Sequence, residues 1–440
     1  MKPLRIAFYG NFGAGNLGNE CTLQAIIQAV RLRLPDAQLL CICTEPQDVQ
    51  SRHGVAAVRA TARASGWSWK AMANEAAATG ATAATRGAIA STGNAIRSGR
   101  LSRLFARAAR LVFQRLPTEA LHWLKSFRTT TGTDILIVPG TQIVSDYLCG
   151  PYSWPYDIFK WSLVAKLRRA KLVFLSVGVG PINHPLSRWF IRRSLKWAAY
   201  RSYRDEASRQ YAESIGISTS PDSVYPDLAF GLSGREWPRL GARDGQRRVI
   251  GLGLKDCSGP ADREGPRGYR AYLDAMATFV AWLCRNDYTV RLLIGDVQFD
   301  TQVRQEFIEM LRSRGTELER SLVFAESPLT VEQLIGQLAD TDAIVSPRFH
   351  NLVLALELDK PVIALSDHAK LDSLLSGLGL PQYCVPLDQL QTDDLINRFQ
   401  QMMGEANRLQ PYIRDKVGSY REALDAQYAM VLAAPIPGMV

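Results

Sequence analysis

What this chain has little of narrows it first. Its seven cysteines are odd in number and widely scattered, which argues against a disulfide framework. None forms a C-x-x-C pair for zinc or redox work, and Cys41 and Cys43 alternate inside an apolar run as strand residues do. Histidine is scarce at five residues, with no H-E-x-x-H and no pair at ligand spacing, so no catalytic metal is expected. No uninterrupted apolar stretch reaches the ~18 residues that a membrane span needs. The N-terminus runs straight into a strand-like segment, without the basic, apolar and cleavage regions of a secretory signal. A cytoplasmic, enzyme-sized protein is the expectation.

Acids are nearly missing from one stretch. Between Arg86 and Arg128 the basic residues face Glu119 alone, so most of the formal charge of +10 is local. Leu101, Leu104, Phe105, Ala108, Leu111 and Val112 recur between the arginines at helical spacing. That pattern fits a helix over 97–128 lying at the inner face of an anionic membrane, and equally a solvated helix packed on its own domain. No nucleic-acid-binding motif accompanies it, and nucleic acid is not expected as a partner. The wider segment 61–133 is rich in Ala, Thr, Gly and Arg. It reads as an insertion that is helical or partly disordered.

What is present is an ordinary globular composition, 47% hydrophobic over 440 residues, comfortable for two domains. Strand-like and helix-like segments alternate, which is the pattern of α/β folds with parallel sheets. The strands expected are Arg5–Tyr9, Gln38–Thr44, Asp134–Val138, Lys171–Val177, Arg201–Tyr203 and Val224–Tyr225. After a polar linker, 234–248, a second series follows. It comprises Val249–Leu254, Val290–Ile294, Leu322–Phe324, Ala343–Val345, Pro361–Leu365 and Tyr383–Val385. Two Rossmann-like domains facing a cleft, 1–238 and 239–440, account for this most simply.

Ligands of open parallel sheets sit beyond the carboxyl ends of the strands. After the first strand comes NFGAGNLGNE, with Asn16, Glu20 and the G-x-G-x-x-G glycines Gly13, Gly15 and Gly18. With Glu45 ending the next strand, this spacing also suits a dinucleotide. Later strands are followed by Pro139-Gly140-Thr141 and Asp146, by Arg204, by Lys255, and by Gly295-Asp296. The last two loops are the most telling: Arg348 and His350 in one, His368 and Lys370 in the next. Consecutive loops open on the same edge, so Arg348, His350 and Lys370 are expected to converge where two helix N-termini also point. That suits a small, strongly anionic ligand and a proton transfer near neutral pH. His53, His122 and His184 lack such company and read as structural.

The chain resembles the polysaccharide pyruvyl transferase family. The likeness rests on GNFGAGNLGNE and on SPRFHNLVLALELDKPVIALSDHAKLDSLL, with DILIVPGTQIVSD, SVGVGPI, SYRDEAS and YPDLAF in the family's order between them. Two departures are Pro139-Gly140-Thr141, where the family often has three glycines, and Asn19, where Asp is common. The resemblance implies an architecture similar to the GT-B glycosyltransferases. It also implies transfer of pyruvate from phosphoenolpyruvate, as co-substrate and with no further cofactor, onto two hydroxyls of a sugar, free or lipid-linked, in exopolysaccharide biosynthesis. On this reading Arg348, Arg204 and Lys370 hold the donor's carboxylate and phosphate, and His350 protonates the enol carbon. Glu20 or Asp146 orients the acceptor, and Gly15, Gly18 and Asn16 bring backbone to the cleft. Aromatics between Tyr147 and Trp161 offer faces for a sugar ring. The alternatives are a nucleotide-sugar glycosyltransferase of the same fold, an NAD-dependent enzyme, and a non-catalytic membrane-associated sugar-binding protein.

Overall fold

The computed structural model describes residues 3–62, 116–147, 149–232, 247–256, 265–315, 323–324, 326 and 328–433. Most of the expected insertion and nearly all of the expected linker lie outside these residues, as does the greater part of the basic stretch.

The short apolar runs form two wholly parallel sheets. The first contains β1 Arg5–Tyr9, β2 Gln38–Cys43, β3 Ala56–Arg59, β4 Ile135–Pro139, β5 Lys171–Val177, β6 Tyr200–Tyr203 and β7 Ser223–Val224, in the order β3-β2-β1-β4-β5-β6-β7. The second contains β8 Val249–Gly253, β9 Thr289–Leu293, β10 Val323–Phe324, β11 Ala343–Ser346, β12 Val362–Ser366 and β13 Cys384–Pro386, in the order β10-β9-β8-β11-β12-β13. Strands β4, β8 and β12 are buried along their whole length, as continuous apolar runs must be when helices cover both faces. In each sheet the order reverses beside the first strand, between β1 and β4 and between β8 and β11. Crevices open at such points.

Alternation sorts the first sheet's side chains onto two faces. Leu136, Val138 and Phe174 pack with Ile158 and Trp161 of the helix Trp154–Leu167 and with Ile191 and Leu195 of the helix Pro185–Trp197. Ile135, Ile137 and Leu175 face the other way, toward the helix Leu17–Arg33, in a cluster that continues into Ile250, Leu252 and Val345 of the second sheet. The two halves therefore share one apolar core.

The last helix, Ala406–Ala433, ties them further. It follows the second sheet in sequence yet returns to the first, where Gln427 is fully buried. Its Nε2 donates to Ser202 Oγ at 2.7 Å, and its Oε1 accepts from Ser176 Oγ at 3.2 Å. A division into 1–238 and 239–440 thus follows the sheets but not this helix. Among the described residues, no helix is long and apolar enough to cross a membrane.

Candidate active site

The carboxyl ends of both sheets meet at a cavity of about 400 Å³. On the first-sheet side its wall is the loop after β1. Gly13 and Gly15 adopt positive φ, 79° and 77°, and a Cβ on Gly13 would lie 2.4 Å from the Glu45 carbonyl oxygen. Asn16 caps the helix Leu17–Arg33 and also reaches across the cleft, donating from Nδ2 to Asp296 Oδ2 at 2.9 Å. Two backbone bonds reinforce this link, Leu17 N–H to Gly295 O at 3.1 Å and Val297 N–H to Gly15 O at 3.0 Å.

The opposite wall is the turn after β11. Ser346 Oγ accepts the Arg348 N–H at 3.0 Å, Arg348 takes the cap position, and His350 falls in the first turn of the helix Phe349–Glu357. The Arg348 guanidinium pairs with Asp300, which is fully buried. The other oxygen of Asp300 accepts the N–H groups of Gly295 and Asp296 at 3.0 and 2.9 Å. One carboxylate therefore fixes both the arginine and the turn that receives Asn16.

His350 straddles the cleft. A Cβ on Gly18 would sit 2.0 Å from its Nδ1, so only glycine leaves room for the ring. Its Nε2 is buried, makes no hydrogen bond, and lies 3.9 Å from Asp227 Oδ1. Asp227, 1% exposed in its side chain, also caps the 3₁₀ turn Leu228–Gly231 and faces Arg204 NH1 at 3.4 Å. Arg204 donates to Gln142 Oε1 at 2.6 Å and stands 4.8 Å from the centre of the Phe349 ring. The Lys370 ammonium stands 5.9 Å from that same ring.

Four cations line the cavity, Arg204, Lys255, Arg348 and Lys370, together with three carboxylates, Asp256, Asp296 and Asp367, the last paired with Lys255. Burial, then the charges of Lys255 and Arg204, pushes Lys370 down to about 7. Burial also pushes His350 down to about 4, against the pull of Asp227, and pushes His368 down to about 4. Asp296 is raised by its burial. Desolvated cations that repel one another gain a counter-charge when an anion binds among them.

Arg204, Arg348, His350 and Lys370 are thus brought together, with Asn16 and Gly18 facing them. Two expectations need correction. Glu20 does not reach the cavity: its Oε1 accepts the Gly13 N–H at 2.7 Å and its Oε2 pairs with His53 Nε2 at 2.8 Å, bracing the glycine loop from behind. Asp146 does not line it either, because its two oxygens accept the N–H groups of Asn183 and His184, both at 2.8 Å. Gly15 contributes its carbonyl to the link across the cleft rather than to the lining. Of the aromatics between Tyr147 and Trp161, Tyr147 and Trp154 line the cavity, whereas Trp161 is core.

The residues missed are Asp227, Gln142 and Asn351. The amide of Asn351 is fully buried at the cavity, with no hydrogen-bond partner for either of its polar atoms. The signal for Asp227 was present in YPDLAF, but no spacing in the chain connects it with His350.

A family model described as polysaccharide pyruvyl transferase matches residues 16–368. Among curated proteins, no sequence matches the chain. Similar solved structures include a UDP-GlcNAc 2-epimerase from Neisseria meningitidis bound to UDP-GlcNAc, 11% identical, with TM-score 0.56 over 98% of this chain and 99% of that one. A glycosyltransferase from Rickettsia africae is 10% identical, with TM-score 0.54 over 99% of this chain and 100% of its own. A lipopolysaccharide outer core galactosyltransferase is 12% identical, with TM-score 0.52 over 98% of each chain. At such identities these structures establish the fold, which is GT-B. The family match runs from the Asn16 cap to the His368 cap, through both walls of the cleft, and the chain belongs to the polysaccharide pyruvyl transferase family.

Proposed function

We propose that the protein transfers pyruvate from phosphoenolpyruvate to two hydroxyls of a saccharide, forming a cyclic ketal and releasing phosphate. The observation that carries this reading is the convergence of Arg204, Arg348 and Lys370 around His350. The donor has a carboxylate at one end and a phosphate at the other. Arginine forks suit both, and the desolvated ammonium of Lys370 completes the set.

Filling the site with anion raises the pKa of His350, so the imidazole takes up a proton as the donor binds. Asp227, behind Nε2, stabilises the imidazolium. His350 passes this proton to the methylene carbon while the first sugar hydroxyl attacks the adjacent carbon, and the hydroxyl's own proton returns to the imidazole. The bond from that carbon to the phosphate oxygen then breaks. The second hydroxyl closes the ketal, and its proton leaves with phosphate. Two C–O bonds form, one breaks, and no redox partner is needed. Tyr147 and Trp154 offer aromatic faces to the saccharide at the cavity wall.

The test is acceptor-dependent phosphate release from phosphoenolpyruvate by the purified protein. Proton transfer by a placed side chain gives about a hundred- to ten-thousand-fold in rate. His350→Gln should therefore melt near the parental temperature, still bind phosphoenolpyruvate, and turn over at least about a hundredfold more slowly. Thermal stabilisation by nucleotide sugars but not by phosphoenolpyruvate would overturn the proposal in favour of a glycosyltransferase.

A further inference from the structure

Opposite the shared core, the first sheet is covered by the helices Leu116–Thr129, Trp154–Leu167 and Pro185–Trp197, and their outer surface is of one sign. The only acids on them, Glu119 and Asp157, both turn toward the fully buried Lys160, at 3.0 and 3.1 Å. The exposed charges are all positive: Lys125 and Arg128 on the first helix, Lys166 on the second, and Arg188, Arg192, Arg193 and Lys196 on the third. Large apolar side chains stand among them. Leu121 is 65% exposed, Leu124 58%, Leu167 61% and Trp189 45%. Two of the cations lie against rings. Arg193 stands 5.7 Å from the centre of Trp189, and Lys166 4.8 Å from that of Trp197.

We propose that this three-helix face docks on an anionic phospholipid surface. Leucines and a tryptophan among basic side chains match a bilayer interface, where apolar groups enter the acyl boundary and cations meet the headgroups. A nucleic-acid backbone would answer the charge but leave the leucines in water. The segment 63–115 is no counter-charge for this face. It carries Arg97, Arg100, Arg103, Arg107 and Arg110 among further cations, with Glu75 its sole acid. The docking surface is thus set by the helices from 116 to 197, beyond most of the stretch 97–128 that charge alone singles out.

Co-sedimentation of the full chain with vesicles tests this, using phosphatidylcholine with about a third phosphatidylglycerol against phosphatidylcholine alone. Each charge removed from a membrane-facing surface weakens partition by roughly fivefold. The triple change Arg192→Gln, Arg193→Gln, Lys196→Gln leaves 63–115 intact and should weaken binding on the order of a hundredfold, with an unchanged melting temperature. Leu121→Ser with Leu124→Ser should weaken binding too, and it decides the matter if the triple variant melts early. The parent should bind neutral vesicles poorly. Equal binding to both vesicle types, parental binding by a folded variant, or full displacement of vesicles by stoichiometric RNA would overturn the proposal. So would a parent that forms dimers which the leucine changes dissolve.

Discussion

Gly18 shows how narrowly the candidate site is drawn. An alanine there favours the helix, yet its methyl would occupy the place of the His350 ring edge. Gly18→Ala should lower turnover on the order of a hundredfold and lower the melting temperature by a few degrees, since overpacking costs about 1–3 kcal/mol against the roughly 1 kcal/mol that alanine adds to the helix. Normal turnover with an unchanged melting temperature would show that the ring moves aside at no cost. Asp227→Asn makes a second test, since asparagine can keep the cap on the 3₁₀ turn. Asp227 raises the pKa of His350, so its removal lowers that pKa further. The alkaline limb of the pH–rate profile should therefore move to lower pH. Lys370 gives a third, in binding. Its ammonium is held down at about 7 and recovers when an anion arrives, so binding near pH 8 draws in a proton and affinity falls as pH rises through 7. Calorimetry of phosphoenolpyruvate binding in buffers of different ionisation heat measures that uptake directly. At this scale the sequence was readable where chemistry follows a strand in order, as with Arg348, His350 and Lys370. Glu20 and Asp146 follow strands too, but a carboxylate there is as readily used to hold backbone N–H groups, and no pattern separates the two uses.

Among the described residues, the sequence pattern located twelve of the thirteen strands almost to the residue. The one overlooked, β3, is four residues long, Ala-Ala-Val-Arg, and lies at the sheet edge with no buried residue. Such a strand owes its existence to β2 beside it rather than to its own composition. The helix carrying His350 begins at Phe349, because Arg348 already has extended backbone and caps it. The final helix was not among the expected elements, and its destination depends on one buried amide meeting Ser176 and Ser202. Gln427→Leu keeps the volume and strands those hydroxyls, an expected cost of about 1–3 kcal/mol. Thermal unfolding should show the loss as a few degrees. An unchanged melting temperature would mean the two serines find other partners.

Over the whole molecule, the alternation of strands and helices and the two sheets could be read from the chain. That the halves share a core could not, because Ile137 and Ile250 look alike whether they face one cluster or two. The bridge of Asn16 to Asp296 and the bonds of Leu17 and Val297 are likewise contacts between segments far apart in sequence. Family resemblance supplied the fold class where periodicity alone stopped at two Rossmann-like domains.

The contact between Gly18 and His350 has a consequence for inheritance. The glycine belongs to one half and the histidine to the other, and a Cβ on the glycine would lie 2.0 Å from the ring's Nδ1. A chimaera joining the first half of one relative to the second half of another would keep both sheets and still be inactive if position 18 carried any side chain. The halves can be exchanged only as a matched pair, and the junctions that yield active hybrids would reveal which relatives kept the same fit.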